Sequence, residues 1–155
     1  KRIEAEKPAK TIWSVKYLRG GLIDLEFLAQ YLQLRHAHED PSVLATGTQE
    51  AFTRLAAAGV LEAPLAAALI DATRFFRQLQ GSLRLTVGPA FDADSLPKVL
   101  QSTLARAVGM SDFMALRSRL LRTAEAIHQV FIEQLESPAK ALEAAGAATS
   151  GNPVT

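Results

Sequence analysis

Two long apolar stripes constrain this chain most. Phe113, Leu116, Leu120, Ala124, Ile127, Phe131 and Leu135 recur in steps of three and four, and so do Leu65, Leu69, Ala72, Phe76, Leu79 and Leu83. Only a helix, at about 3.6 residues per turn, brings such positions onto one side. Read as coiled-coil seams they would pair with a second chain, but the mixture of Phe, Ala and Leu at the stripe positions favours an intramolecular core. Alanine and leucine dominate and β-branched residues are sparse, so propensity favours helix nearly everywhere after Gly21.

Five helices are predicted. The first runs from about Leu22 to His38, with Leu22, Leu25, Ala29, Leu32 and His36 on one face, and Pro41 ends it. The second starts near Thr48, capped by Thr46 or Thr48, and Gly59 closes it. The third opens at Pro64 and ends before Gly88-Pro89, with Gly81 as a weak spot. The fourth runs from about Ser95 to Gly109, and the fifth, capped by Ser111, carries the stripe that ends at Leu135. The expected fold is all-α, an antiparallel bundle of about five helices with a short extended N-terminal segment and a flexible C-terminal tail. No repeat of solenoid length is visible.

With 155 residues the chain suits one domain with its own core. Residues 1–19 read as a connector and extended segment, 20–136 as the bundle, and 137–155, rich in Ala and Gly and ending Ser150-Gly151-Asn152-Pro153, as the tail. The first residue is Lys1 rather than methionine, which leads to the expectation of a domain cut from a longer polypeptide. Zero cysteines exclude disulfides and thiolate metal sites. A net charge of +1, from 17 basic and 16 acidic residues, supplies no field that would gather nucleic acid. No apolar run approaches the ~20 residues that span a bilayer, and no signal peptide is present, so a cytoplasmic location is expected.

The functional signal concentrates in Gly20-Gly21-Leu22-Ile23-Asp24-Leu25-Glu26-Phe27-Leu28-Ala29-Gln30, where a glycine pair hands the strand-like alternation of Trp13 to Arg19 into an acid-bearing helix. Asp24 and Glu26 lie about 200° apart on a helix and cannot share one metal. Glu26, Gln30 and Gln33 do share a face. On one reading Asp24 complements the helix N-terminus and Glu26 pairs with Lys16 or Arg19. On the other, the polar stripe faces a neighbouring catalytic domain. Lys16 could reach a phosphate or serve as an edge-strand charge. Gly20-Gly21 could form an anion loop, but the pair lacks phosphate-loop spacing, and a tight helix entry is favoured. Trp13, ordinarily core or interface, is expected to be partly exposed in a domain detached from its neighbour.

Other chemistry-bearing residues are scattered. Asp92-Ala93-Asp94 falls in a loop between helices and reads as two solvated acids plus a helix cap. His36, His38 and His128 have no metal-ligand spacing. Arg74, Arg77 and Arg84 on the third helix, with Arg117, Arg119 and Arg122 on the fifth, mark solvated faces or a partner-docking patch.

From Trp13 through Leu34-Arg35-His36-Ala37-His38-Glu39-Asp40-Pro41 the chain resembles the bacterial glutamine synthetase adenylyltransferase/adenylyl-removing enzyme. That family has two nucleotidyltransferase halves, each followed by a helical region opening with a Gly-Gly-hydrophobic-x-Asp/Glu-Ile/Leu-Glu-Phe segment. The stretch from Leu34 to Pro41 looks like the region behind the second, adenylylating half. A looser pattern continues through Thr48-Gln49-Glu50-Ala51-Phe52, Ala72-Thr73-Arg74-Phe75-Phe76-Arg77 and Leu96-Pro97. The family's catalytic Gly-Ser followed by an Asp-x-Asp pair is missing.

The resemblance implies a C-terminal helical domain that supports adenylylation by an upstream nucleotidyltransferase domain and is inactive by itself. ATP and magnesium would belong to the full-length enzyme, and no cofactor or metal is expected here. Implied partners are glutamine synthetase and the PII signal protein. Trp13, Lys16, Gly20, Gly21, Asp24, Glu26 and Gln30 form the expected interface with the catalytic domain. The alternatives are a free-standing helical interaction module and the helical region of a PII uridylyltransferase.

Overall fold

The structure is a computed structural model, which describes residues 11–86, 92–136 and 146. It is all-α, with five α-helices and no strand among the described residues: α1 Leu22–His36, α2 Thr48–Ala57, α3 Ala63–Thr86, α4 Lys98–Ala107 and α5 Phe113–Phe131. Helix α5 runs on into a π-helical turn, Ile132–Glu136, and short 3₁₀ turns occupy Pro41–Val43 and Ala93–Ser95. The predicted connector at residues 1–10, the Gly88-Pro89 stop and the tail from Ser137 lie outside the described residues, Gly146 apart.

Both founding stripes face the core. Leu69, Ala72, Phe76, Leu79 and Leu83 of α3 are buried, as are Leu116, Leu120, Ala124 and Ile127 of α5, with Leu135 beyond it. They enclose Leu25, Leu28 and Leu32 of α1 and Phe52 and Leu55 of α2. Helix α3 packs on α1, α2, α4 and α5, while α1 also packs on α2 and α5. Gly81 does not interrupt α3, because a single glycine costs only about 1 kcal/mol inside a helix whose apolar face is buried on both sides of it.

Two caps differ from expectation. Asp112, not Ser111, caps α5, its Oδ1 accepting from the Ala115 N–H at 2.7 Å. Gly47 occupies the cap of α2, and neither Thr46 nor Thr48 supplies a side-chain cap bond. In both cases adjacent residues of cap-forming type compete, and the direction from which the loop arrives selects between them. Gly59, with φ +78°, follows α2 as expected.

The larger correction concerns residues 11–19. They form turns rather than an extended segment: Ser14 N–H donates to Thr11 O at 3.2 Å, and Tyr17 and Leu18 N–H both donate to Ser14 O. A lone strand with no neighbour leaves its backbone groups unpaired, whereas turns satisfy them locally. The alternation still does its work, since Trp13 and Val15 are both buried. Trp13 is therefore core rather than partly exposed, stacked on Phe113 with ring centroids 5.2 Å apart.

The loop between α1 and α2 is pinned from both sides. Gln33, buried on α1, donates its Nε2 to Val43 O at 3.0 Å and Ala45 O at 3.3 Å. From α2, Arg54 donates to Leu44 O at 2.8 Å while its Nε meets Glu50. Replacing Gln33 by alanine strands one buried and one half-buried carbonyl and is expected to cost about 2 kcal/mol. Thermal unfolding followed by circular dichroism should show Tm lowered by roughly 4–8 °C, and an unchanged Tm would contradict this role.

Candidate functional site

Where the chain enters α1, backbone groups close on one another. The N–H groups of Gly21, Leu22 and Ile23 donate to Leu18 O (2.7 Å), Val15 O (3.0 Å) and Lys16 O (3.1 Å). Asp24, in the first turn, reaches back to accept the Gly20 N–H on Oδ2 at 2.6 Å. The Leu22 and Ile23 donors that this helix N-terminus would offer to an anion are thus taken by the chain itself. The glycine pair is a packing requirement. A Cβ on Gly20 would stand 1.9 Å from the Ala124 carbonyl oxygen of α5, and one on Gly21 would stand 2.2 Å from Val15 O.

This geometry divides the expected interface residues. Trp13, Gly20 and Gly21 are buried beneath the protein's own helices and can shape a surface without touching a partner. Asp24 and Glu26 are half-buried, and Lys16 and Gln30 are exposed. Among the described residues no ion pair joins Glu26 to Lys16 or Arg19, and the Lys16 ammonium lies 5.5 Å from the centre of the Tyr17 ring. Gln33 does not continue the polar stripe outward, because its amide is spent on the α1–α2 loop.

What lies beside Glu26 and Gln30 instead is apolar. Ile23, Phe27 (54% exposed) and Leu34 (78% exposed) share their side of α1. Phe27 leans on Phe131 at the end of α5, with centroids 6.2 Å apart. Helix α1 is therefore apolar on both its inner and outer faces. The signal was present in the sequence, since Ile23, Phe27 and Leu34 fall out of step with the core set Leu22, Leu25, Leu28 and Leu32.

Asp92, Asp94 and Asp40 are used structurally. Asp92 accepts from the Asp94 N–H at 2.9 Å to cap the 3₁₀ turn, and Asp94 pairs with Arg117 at 3.3 Å. Their carboxylates are a cap and an ion-pair member, not a metal-binding pair. Among the described residues, no group of three His, Asp or Glu side chains could hold a metal ion. Asp40 accepts from the Ser42 hydroxyl and N–H, and these bonds hold its carboxyl below the usual range. No helix among the described residues is long and apolar enough to cross a membrane.

A family model described as GlnD PII-uridylyltransferase matches residues 1–135. The bifunctional glutamine synthetase adenylyltransferase/adenylyl-removing enzyme of Bradyrhizobium diazoefficiens is 39% identical over 141 residues, covering 90% of this chain and 14% of that protein. The enzyme of the same name from Rhodopseudomonas palustris strain HaA2 is 38% identical over 129 residues, covering 83% of this chain and 13% of its own length. That from Xanthobacter autotrophicus is 38% identical over 139 residues, covering 89% and 14%. The chain thus spans about 14% of the length of the curated relatives it matches. No solved structure gives a significant match.

Proposed function

The chain belongs to the family that the GlnD PII-uridylyltransferase model describes, and from that membership we propose that it is the C-terminal helical domain supporting ATP-dependent adenylylation of glutamine synthetase by an upstream nucleotidyltransferase domain. The observation that carries this reading is the outer face of α1. A helix that carries large apolar residues on two faces is at home between two bodies. The bundle covers one side, and Ile23, Phe27 and Leu34 leave the other open.

Glu26 and Gln30 supply the polar contacts within the interface, and Asp24 keeps the entry turn closed. ATP and magnesium are ligands of the nucleotidyltransferase domain of the full-length enzyme, as the relatives' adenylyltransferase name implies. The contribution of this domain is positioning, which can be worth about 7–11 kcal/mol of a barrier. Glutamine synthetase is the substrate protein, and the PII protein enters as a regulatory partner.

The test uses a full-length relative carrying this domain. Phe27→Asp introduces a charge into the proposed interface while leaving the bundle core untouched. It should lower the rate of AMP transfer to glutamine synthetase at least about tenfold, the size expected for a disrupted buried contact. The 155-residue chain carrying the same change should keep its helix content and lose only a few degrees of Tm, the worth of the Phe27–Phe131 contact. A wild-type rate in the full-length variant, or turnover by the 155-residue chain alone with ATP, magnesium and glutamine synthetase, would overturn the proposal. The description of the matching family model supports a second reading, the helical region of a PII uridylyltransferase. Transfer of UMP to the PII protein, assayed with the intact enzyme, separates the two.

A further inference from the structure

On the side of α5 away from α1, an open, shallow groove of about 390 Å³ runs between α3 and α5. We infer that it binds a small aliphatic carboxylate. Its floor is apolar, formed by Ala72 and Ile127, and Ala68 and Ala126 are small enough to leave it open. On one turn of α5, Arg119, Arg122 and Thr123 present donors to it.

These donors are prepared to different degrees. The Arg119 guanidinium is laid over the Phe75 ring at 4.1 Å, and one of its amino groups stands 3.7 Å from Met110 Sδ. Its other amino group meets Asp71 at 3.6 Å, a loose pair in which the aspartate side chain is 69% exposed. Neither Arg122 nor Thr123 has a side-chain hydrogen bond or ion pair among the described residues. The site therefore holds one ordered and one unpaired guanidinium against a single competing carboxylate. A planar guanidinium suits a carboxylate, and the apolar floor suits a short carbon chain rather than a bare anion.

Butyrate is the probe, with inorganic phosphate as the measure of charge alone. Titrated into the ¹⁵N-labelled 155-residue chain, butyrate should shift amide resonances confined to 68–72 and 119–127, and phosphate should bind at least about fivefold more weakly. Arg122→Gln should weaken butyrate about tenfold, the worth of a charge-assisted hydrogen bond. Asp71→Asn, which removes the competitor, should tighten it about two- to fivefold, as the loss of an exposed ion pair implies. The opposed signs separate a binding role from general damage to the fold. Shifts scattered over the surface, equal binding of phosphate, or no effect of either substitution would overturn the inference.

Discussion

Gly20→Ala is expected to destabilise the domain by about 3–5 kcal/mol, a large share of the roughly 5–15 kcal/mol that holds a typical domain folded. Two costs combine. The residue sits at φ +80°, where a side chain costs roughly 1–2 kcal/mol. Its Cβ would also fall 1.9 Å from the Ala124 carbonyl oxygen, an atom that cannot turn aside because it belongs to the α5 backbone. Helix α5 would have to retreat, pulling the Phe27–Phe131 contact with it. Gly81→Ala supplies the contrast, since a Cβ there meets nothing within 4 Å. In mid-helix it should add about 0.5–1 kcal/mol. Urea unfolding of both variants checks the pair, and a Gly20→Ala protein of wild-type stability would contradict the packing described.

Trp13→Ala should cost about 3–5 kcal/mol, through lost burial and the cavity left above Phe113. Trp13→Phe should cost only about 1 kcal/mol. The indole Nε1 is buried with no hydrogen-bond partner among the described residues, so removing it relieves a desolvated donor while the ring stack survives. Circular dichroism at increasing urea measures both, and equal losses for the two variants would refute this division. A large loss at Trp13 would also identify the turns before Gly20 as part of the fold rather than as a leader to it.

The long helices were legible because each carries one apolar stripe that has only one way to be buried. Predicted and observed starts of α3 and α5 accordingly agree within a few residues. Helix α1 was harder. With apolar residues on two faces, its period identifies a helix but not which face is core, so Phe27 and Leu34 went unnoticed as outward-facing residues. Gln30 and Gln33 are the same amino acid on one helix. Only the path of the distant Val43–Ala45 loop makes one a surface group and the other a buried clamp. The turns at 11–19 were misread for a related reason. Alternation of Trp13 and Val15 is local information, while the strand it suggested needs a neighbour elsewhere in the chain.

The junction ahead of α1 has a mechanical consequence. Because carbonyls of Val15, Lys16 and Leu18 are bonded to the first amides of the helix, and Asp24 ties down Gly20, the two segments turn as one stiff handle. A torque applied before Thr11 is passed to α1, and through Gly20 to the α5 backbone, instead of being dissipated in a swivel. The heading of the chain at Thr11 is thereby dictated by the helices on which these turns pack.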